Sequence, residues 1–243
     1  MIKCTVIVPL YKERLSRLEE LTLKHTIYEL KIENLIFIGP FHFDYDYYAE
    51  NFLGIEIQKF EDHYFESVQG YSKLLLNIDF YKFFKSSTFI LIYQTDALMI
   101  KNEIDLWCDL PFDYVGAPWP KKFEYVMKFD NFHNNPTKIM SSVGNGGLSL
   151  RRVKKCISLI QEFPELHNFF LTSGSSEDLF FGTSGCVSKD FIIPNEVTAS
   201  MFSLELLPNY YFAINGGVHP MGGHAWERYD PNFWYQNYSF LAI

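Results

Sequence analysis

The sequence predicts an α/β protein built on a parallel sheet, and three observations carry that prediction. Residues 88–93, TFILIY, are a short and nearly continuous apolar run, the pattern of a strand buried on both faces. Two similar runs, at 5–10 and 35–38, precede it, with a helical pattern between them. An alternating run at 55–60 follows the second, so the order strand, helix, strand, strand opens the chain, as a parallel α/β sheet requires.

Taken in order, the first strand ends at Pro9 and is followed by a polar loop, YKER, at 11–14. Residues 15–30 place Leu15, Leu18, Leu21 and Leu23 at the spacing of an amphipathic helix. The strand at 35–38 is stopped by Gly39-Pro40. Residues 71–85 read as one helix with Tyr71, Leu74, Leu75, Ile78 and Tyr81 on a single face and Lys73 off that stripe. A short connection leads into the strand at 88–93, as a right-handed crossover needs. Residues 113–119, DYVGAPW, read as a short strand ending in a Gly/Pro turn. Residues 121–142 are polar, with Asn131, Asn134, Asn135 and Pro136, and read as a mobile loop of the length usually tied to function. A glycine-rich stretch at 143–150, VGNGGLSL, precedes a helix at 153–163. Small polar residues at 172–176 lead into Glu177-Asp178, and a second glycine-rich segment at 215–226 carries His219 and His224. The aromatic tail at 233–240 reads as a dimer contact, an acceptor platform or core. No internal repeat or low-complexity linker divides the 243 residues, so one compact unit is expected.

Composition narrows the function. With 48% hydrophobic and 21% charged residues, the chain can bury a sizeable core. A net charge of -8 and the lack of any Lys/Arg run argue against nucleic-acid binding, which needs a basic footprint. The opening MIKCTVIVPL is too short for a membrane span and lacks a small-residue cleavage site, and a first strand explains it better. No later apolar stretch approaches about 18 residues, so no transmembrane segment is expected. Four scattered cysteines without a CxxC point to reduced thiols and a cytoplasmic setting. The 18% aromatic content reads mainly as source bias.

Four places could carry chemistry. The apolar run at 88–93 stops at Gln94-Thr95-Asp96, and apolar residues resume at once. A carboxylate so flanked is costly to desolvate unless something compensates it. Ligands and metals bind outside the carboxyl ends of parallel strands, so Asp96 reads as facing a divalent cation carried by a phosphorylated ligand. The alternative is a turn cap or an ion pair with a nearby lysine. The 143–150 stretch is neither GxGxxG nor GxxxxGK[ST]. It is either a backbone wall against a sugar or phosphate or a tight turn feeding the next helix. Glu177-Asp178 fits both a helix N-terminus, where acidic residues are favoured, and a general base. His224, in GGHAW, either joins Asp96 in a carboxylate–imidazole site suited to manganese more than calcium or simply packs beside Trp226, and His219 is the competing imidazole. No GxSxG and no local protease cysteine signature occurs, so acyl transfer has little support.

YSKLLLNIDFYKFF, LIYQTDALM, DYVGAPW, VGNGGLSLRRV, SEDLFF and GGHAWERYDPNFW occur in this order, from about residue 71 to 234. Together they resemble a bacterial and fungal family, labelled a domain of unknown function, whose members look like GT-A-fold glycosyltransferases. The resemblance implies a Rossmann-like mixed sheet flanked by helices and a single domain over 1–243, with a nucleotide-binding half at 1–105 and an acceptor-binding half at 106–243. It implies transfer of a sugar from a nucleotide-diphosphate donor, most of all a UDP-sugar, to a hydroxyl of a glycan or glycolipid. Surface polysaccharide or lipopolysaccharide assembly, in the cytoplasm or at the inner face of the membrane, is the implied setting.

By the same resemblance Pro9, Tyr11, Lys73, Gln94, Thr95, Asp96, Gly146 and Gly147 contact the donor. Asp96 and His224 hold Mn2+ or Mg2+, Asp178 is the base of an inverting displacement, and Glu177 positions the acceptor. Lys73 or Arg151 would assist the leaving group. The family's first acidic metal position is Gln94 here, which brings no charge, and Thr95 stands where the family has an apolar residue. Two other classes remain. One is a non-catalytic sugar-binding module on a decayed transferase fold, which Gln94 favours. The other is a nucleotidyltransferase, which would want a glycine-rich basic loop after the first strand, and PLYKERLSR has no glycine.

Overall fold

In a computed structural model, which describes residues 2–127 and 137–241, the chain begins with β1 (Ile2–Pro9). Helix α1 (Arg17–Lys24) starts at Ser16, which accepts from the Glu19 amide while the Glu19 carboxylate accepts from the Ser16 amide, a reciprocal cap. The helix runs on through a π-helical turn, His25–Glu29. Next come β2 (Leu35–Pro40), α2 (Asp46–Asn51), β3 (Glu56–Phe60), α3 (Val68–Leu75) and α4 (Ile78–Phe83). After them lie β4 (Ser87–Tyr93), β5 (Leu98–Met99) and α5 (Ile104–Asp109). A long hairpin, β6 (Tyr114–Met127) and β7 (Thr137–Arg152), leads into α6 (Val153–Glu162), α7 (Pro164–Ser173) and α8 (Glu177–Val187). The chain closes with α9 (Glu196–Phe202), β8 (Ser203–Leu204), α10 (Pro208–Ile214), β9 (Gly222–Gly223) and α11 (Pro231–Asn237).

The central sheet has the order β3-β2-β1-β4-β7-β6. The first four strands are parallel, β7 runs antiparallel to β4 with Tyr93 opposite Leu148, and β6 pairs antiparallel with β7. Both faces are covered: Leu91 and Tyr93 of β4 join one apolar cluster, and Ile90 and Ile92 join the other. Fully burying each such side chain is worth about 1.5–3 kcal/mol, which explains the unbroken apolar run at 88–93. A small sheet, β5-β9-β8, packs with the C-terminal aromatics, and Phe233, Trp234 and Tyr238 are buried there. The aromatic tail is therefore core.

Three expectations need correction. The single helix over 71–85 is two helices, because Asn77 is extended (φ -82°, ψ 123°) and its side chain caps the Asp79 amide. Leu74, Leu75, Phe80 and Tyr81 still share one cluster, so the apolar stripe survives the break. The strand at 113–119 does not turn after Trp119; it continues to Met127 with register shifts beside Ala117 and Pro118. Most of the polar 121–142 stretch is likewise paired backbone, with Met127 opposite Thr137. Cross-strand hydrogen bonds hold it, and those leave no trace in composition. Residues 128–136 of that stretch lie outside the described residues. Among the described residues no helix is long and apolar enough to cross a membrane.

Candidate active site

The chain passes from β1 to β2 and β3 on one side and then returns to lay β4 on the other side of β1. Such a reversal opens a crevice outside the carboxyl ends of the two central strands. Pro9 and Tyr11 leave β1 into that crevice, and Gln94-Thr95-Asp96 leave β4 beside them. Because β7 is antiparallel, its residues 145–147 overrun the end of β4, and the Gln94 amide donates to the Gly147 carbonyl at 2.9 Å. The turn after β9 supplies the last wall, anchored by the His224 amide on the Leu204 carbonyl at 2.9 Å.

A cavity of about 750 Å³ results, lined by Pro9, Tyr11, Gln94, Asp96 and His224 among the expected residues. Asn145, Ser176, Glu205 and Arg228 also line it. His224 Nε2 stands 3.0 Å from Gln94 Oε1 and 3.2 Å from Asp96 Oδ1, while Nδ1 stands 3.3 Å from Glu205 Oε2. Gly147 makes this possible, since a Cβ there would fall 2.0 Å from the imidazole Nε2. The 143–150 stretch is thus a strand wall rather than a tight turn. Burial works against charge on His224, but Asp96 and Glu205 outweigh it and raise its pKa to about 10. Burial likewise works to raise Asp96, and the hydrogen bond and charge of His224 hold it below the ordinary carboxylate range.

Asp96 Oδ1, Glu205 Oε2 and His224 Nδ1 are nevertheless buried without an oriented hydrogen bond. They hold one another through the His224 contacts at 3.2 and 3.3 Å, and such loosely matched polar atoms beside a cavity leave capacity for a ligand. The Asp96 side chain remains 42% exposed, open to such a ligand. Among the described residues no group of three or more His, Cys, Asp or Glu is arranged to hold a metal ion. A divalent cation would meet Asp96 and the neutral Gln94 oxygen, and His224, with its pKa at about 10, would join them only on giving up its proton.

Not every expected residue reaches the cavity. Thr95 is buried behind the wall, where its hydroxyl donates to Glu19 Oε1 at 2.9 Å and meets the Tyr11 hydroxyl at 3.1 Å. It braces the loop after β1 against the tripeptide after β4. Lys73 is exposed on α3 and is not among the lining residues. His219 bonds the Tyr238 hydroxyl at 2.8 Å, away from Asp96.

The pair Glu177-Asp178 opens α8. Glu177 is buried, with Oε1 accepting from Arg151 Nη2 at 2.9 Å and Oε2 from the Ser72 hydroxyl at 3.0 Å. Arg151 is fully buried and also donates to Ser149 Oγ and the Tyr81 hydroxyl, and its guanidinium carbon lies 5.3 Å from each of the mutually stacked Tyr114 and Phe181 rings. Each side chain is thus spent on the other, which leaves Arg151 out of reach of a leaving group and Glu177 facing inward. Asp178 is half-buried and accepts from the Leu179 amide at 2.7 Å and from the Gly146 amide. Burial and the charge of Glu177 push it up to about 7. It adjoins the wall rather than lining it: a Cβ on Gly146 would meet the Asp178 Cβ at 3.3 Å, and Ser176, two residues earlier, lines the cavity.

Sequence reasoning missed Asn145, Glu205 and Arg228. Asn145 and Arg228 lie inside segments already singled out, GNGG and HAWER, but Glu205 in SLELL carries no local signal.

A mixed sheet with one antiparallel strand beside its switch-point crevice, flanked by helices, is the GT-A-like fold. The chain belongs to the family described as "Protein of unknown function (DUF5672)", whose model matches residues 54–224. No curated protein matches the chain. Among solved structures it is similar to mouse xyloside xylosyltransferase 1 (13% identity, 92% of this chain, 98% of that one, TM-score 0.51). It is similar to the WbbM bifunctional glycosyltransferase (11% identity, 92% of this chain, 45% of that one, TM-score 0.51). It also resembles the glycosyltransferase GlyE of Streptococcus pneumoniae TIGR4 (11% identity, 100% of this chain, 61% of that one, TM-score 0.50). At these identities the likeness speaks for the fold.

Proposed function

We propose that this protein is a glycosyltransferase that moves a sugar from a nucleotide-diphosphate sugar, a UDP-sugar in the first instance, to a hydroxyl of a glycan or glycolipid. The observation that carries the reading is the switch-point cavity whose wall holds Asp96, Glu205 and His224 in loose contact, with the Asp96 side chain 42% exposed. Asp178 accepts the acceptor hydroxyl's proton as that oxygen bonds to the anomeric carbon and the bond to the diphosphate oxygen breaks, a single displacement with inversion. A carboxylate held near pH 7 suits a base, because it is largely free to take a proton at working pH without being too weak to hold one. Asp96 and the Gln94 oxygen, with His224 once it has given up its proton, would hold Mn2+ or Mg2+, which when bound offsets the charge of the departing diphosphate. Pro9 and Tyr11 line the donor side, and Gly147 lets the imidazole approach the strand. Surface polysaccharide or lipopolysaccharide assembly, in the cytoplasm or at the inner membrane face, is the setting such a transferase fits.

One observation favours a non-catalytic sugar-binding module: Gln94 leaves Asp96 as the sole charged donor of the tripeptide. Two measurements separate the readings. Nucleoside diphosphates should raise the melting temperature, more with manganese than without, because a ligand that binds only the native state stabilises it by about 2.7 kcal/mol at 100 times its Kd. A labelled UDP-sugar should release UDP. Stabilisation without turnover favours the module, and no stabilisation by any nucleoside diphosphate overturns the donor reading.

A further inference from the structure

A second cavity of about 610 Å³ opens beside the first and shares Asn145, Glu205, Arg228 and Tyr229 with it. Its other walls include Trp119, Leu206, Leu207 and Asp230. This size and mixture, apolar surface with a few convergent polar groups, is that of a small-molecule site.

Backbone strain gathers on the same rim. Four described non-glycine residues have positive φ, and three of them border these cavities: Leu207 (+52°) and Asp230 (+51°) line the second, and Ala225 (+46°) the first. Side-chain-bearing residues adopt such angles only where their surroundings impose them, and they cluster at ligand sites. Here they bring the turns before α10 and α11 onto the cavity.

The chemistry of the walls selects a ligand class. The half-buried Tyr229 ring offers a flat apolar surface of the kind that covers the C–H face of a pyranose, and the buried Trp119 adds apolar wall. Glu205, Asp230 and the Asn145 carboxamide oxygen accept hydrogen bonds from hydroxyls. Glu205 is already paired with His224 at 3.3 Å, which leaves Asp230 and the Arg228 guanidinium to balance, and walls without excess charge suit a neutral sugar. Asp178 does not line this cavity, but its backbone lies close behind the Trp119 wall: a Cβ on Gly144 would meet the Trp119 ring at 2.8 Å and the Asp178 carbonyl oxygen at 3.1 Å.

We propose that the cavity between Trp119 and Asp230 is the acceptor subsite and holds a neutral pyranosyl unit of a glycan. The assignment rests on the transferase reading for its role but not for its ligand, so the two are tested apart. Saturation-transfer NMR on the full chain uses methyl hexopyranosides as probes, with UDP reporting the first cavity. At least one neutral hexoside binds wild type, stays bound in saturating UDP, and loses at least tenfold in affinity in Leu206→Trp, which plugs the second cavity alone. UDP affinity in that variant stays within about threefold of wild type. Asp230→Ala, checked by circular dichroism, serves as a second variant should the larger side chain prevent folding, with the same expected loss. Absence of hexoside binding to wild type, displacement by UDP, or unchanged binding in the folded variants overturns the subsite. A methyl glucuronide that binds as tightly as the neutral sugars overturns its neutral class. Hexoside binding that depends on Leu206 in a protein that ignores UDP supports the sugar site and removes the donor reading instead.

Discussion

Two carboxylate centres flank β7, and they are built on opposite principles. Both carboxylate oxygens of Glu177 have a partner, and Arg151, Ser72, Ser149 and Tyr81 close a buried network with it. Around Asp96 the groups are held loosely at a cavity wall: His224 stands 3.2 Å from Asp96 and 3.3 Å from Glu205, and the Asp96 side chain is 42% exposed. A completed polar network rigidifies a core, whereas an incomplete one beside a cavity is a place for something else to bind. The first centre therefore reads as scaffold and the second as site, with Asp178 on the boundary between them.

That contrast is open to direct attack. The largest expected effect is at the boundary: Asp178→Asn should cut sugar transfer by about 10²–10⁴-fold, the usual cost of a lost general base, with the melting temperature nearly unchanged. Initial rates with labelled donor check it, and near-normal turnover would remove Asp178 from the mechanism. Next, Arg151→Met should cost about 3–5 kcal/mol in urea unfolding, because it strands Glu177 in the interior. Asp96→Asn, by contrast, should cost under about 1 kcal/mol, as for a partly exposed pair, yet weaken nucleotide binding chiefly when manganese is present. Equal destabilisation by the two variants would erase the distinction between scaffold and site.

A smaller effect sharpens the position of Asp178. A base must have lost its proton, so with a pKa of about 7 transfer should rise about tenfold per pH unit below 7 and level off above it. A rate flat down to pH 5 would place the controlling group elsewhere. The stability contribution runs the other way: this pKa lies above the ordinary 3.8, so the fold favours the protonated form and its advantage fades as pH rises from about 4 through 7. The smallest effect is at Lys73, exposed on α3, where Lys73→Ala should change UDP affinity by no more than about twofold in a titration.

Much of the frame was legible in the sequence because burial on two faces writes itself into residues 88–93 as an unbroken apolar run. Asp96 was legible for the converse reason, as a charge set where the run ends. What escaped depended on partners distant along the chain. Arg151 looks like a surface cation until Glu177, 26 residues away, and Tyr81, 70 residues away, close around it. Glu205 has no local mark, and its place is set by His224 across the small sheet. The break at Asn77 turns on one side-chain cap, which helical periodicity does not register.

The position of β1 has a practical consequence. It is the middle of the parallel array, between β2 and β4, yet it precedes residue 54, where the family match begins. A fragment trimmed to the matched span would leave Ile90 and Ile92 of β4 without their neighbour and remove Pro9 and Tyr11 from the cavity. Expression trials and searches for distant kin are best framed on the sheet as it is woven, not on the stretch that is easiest to align.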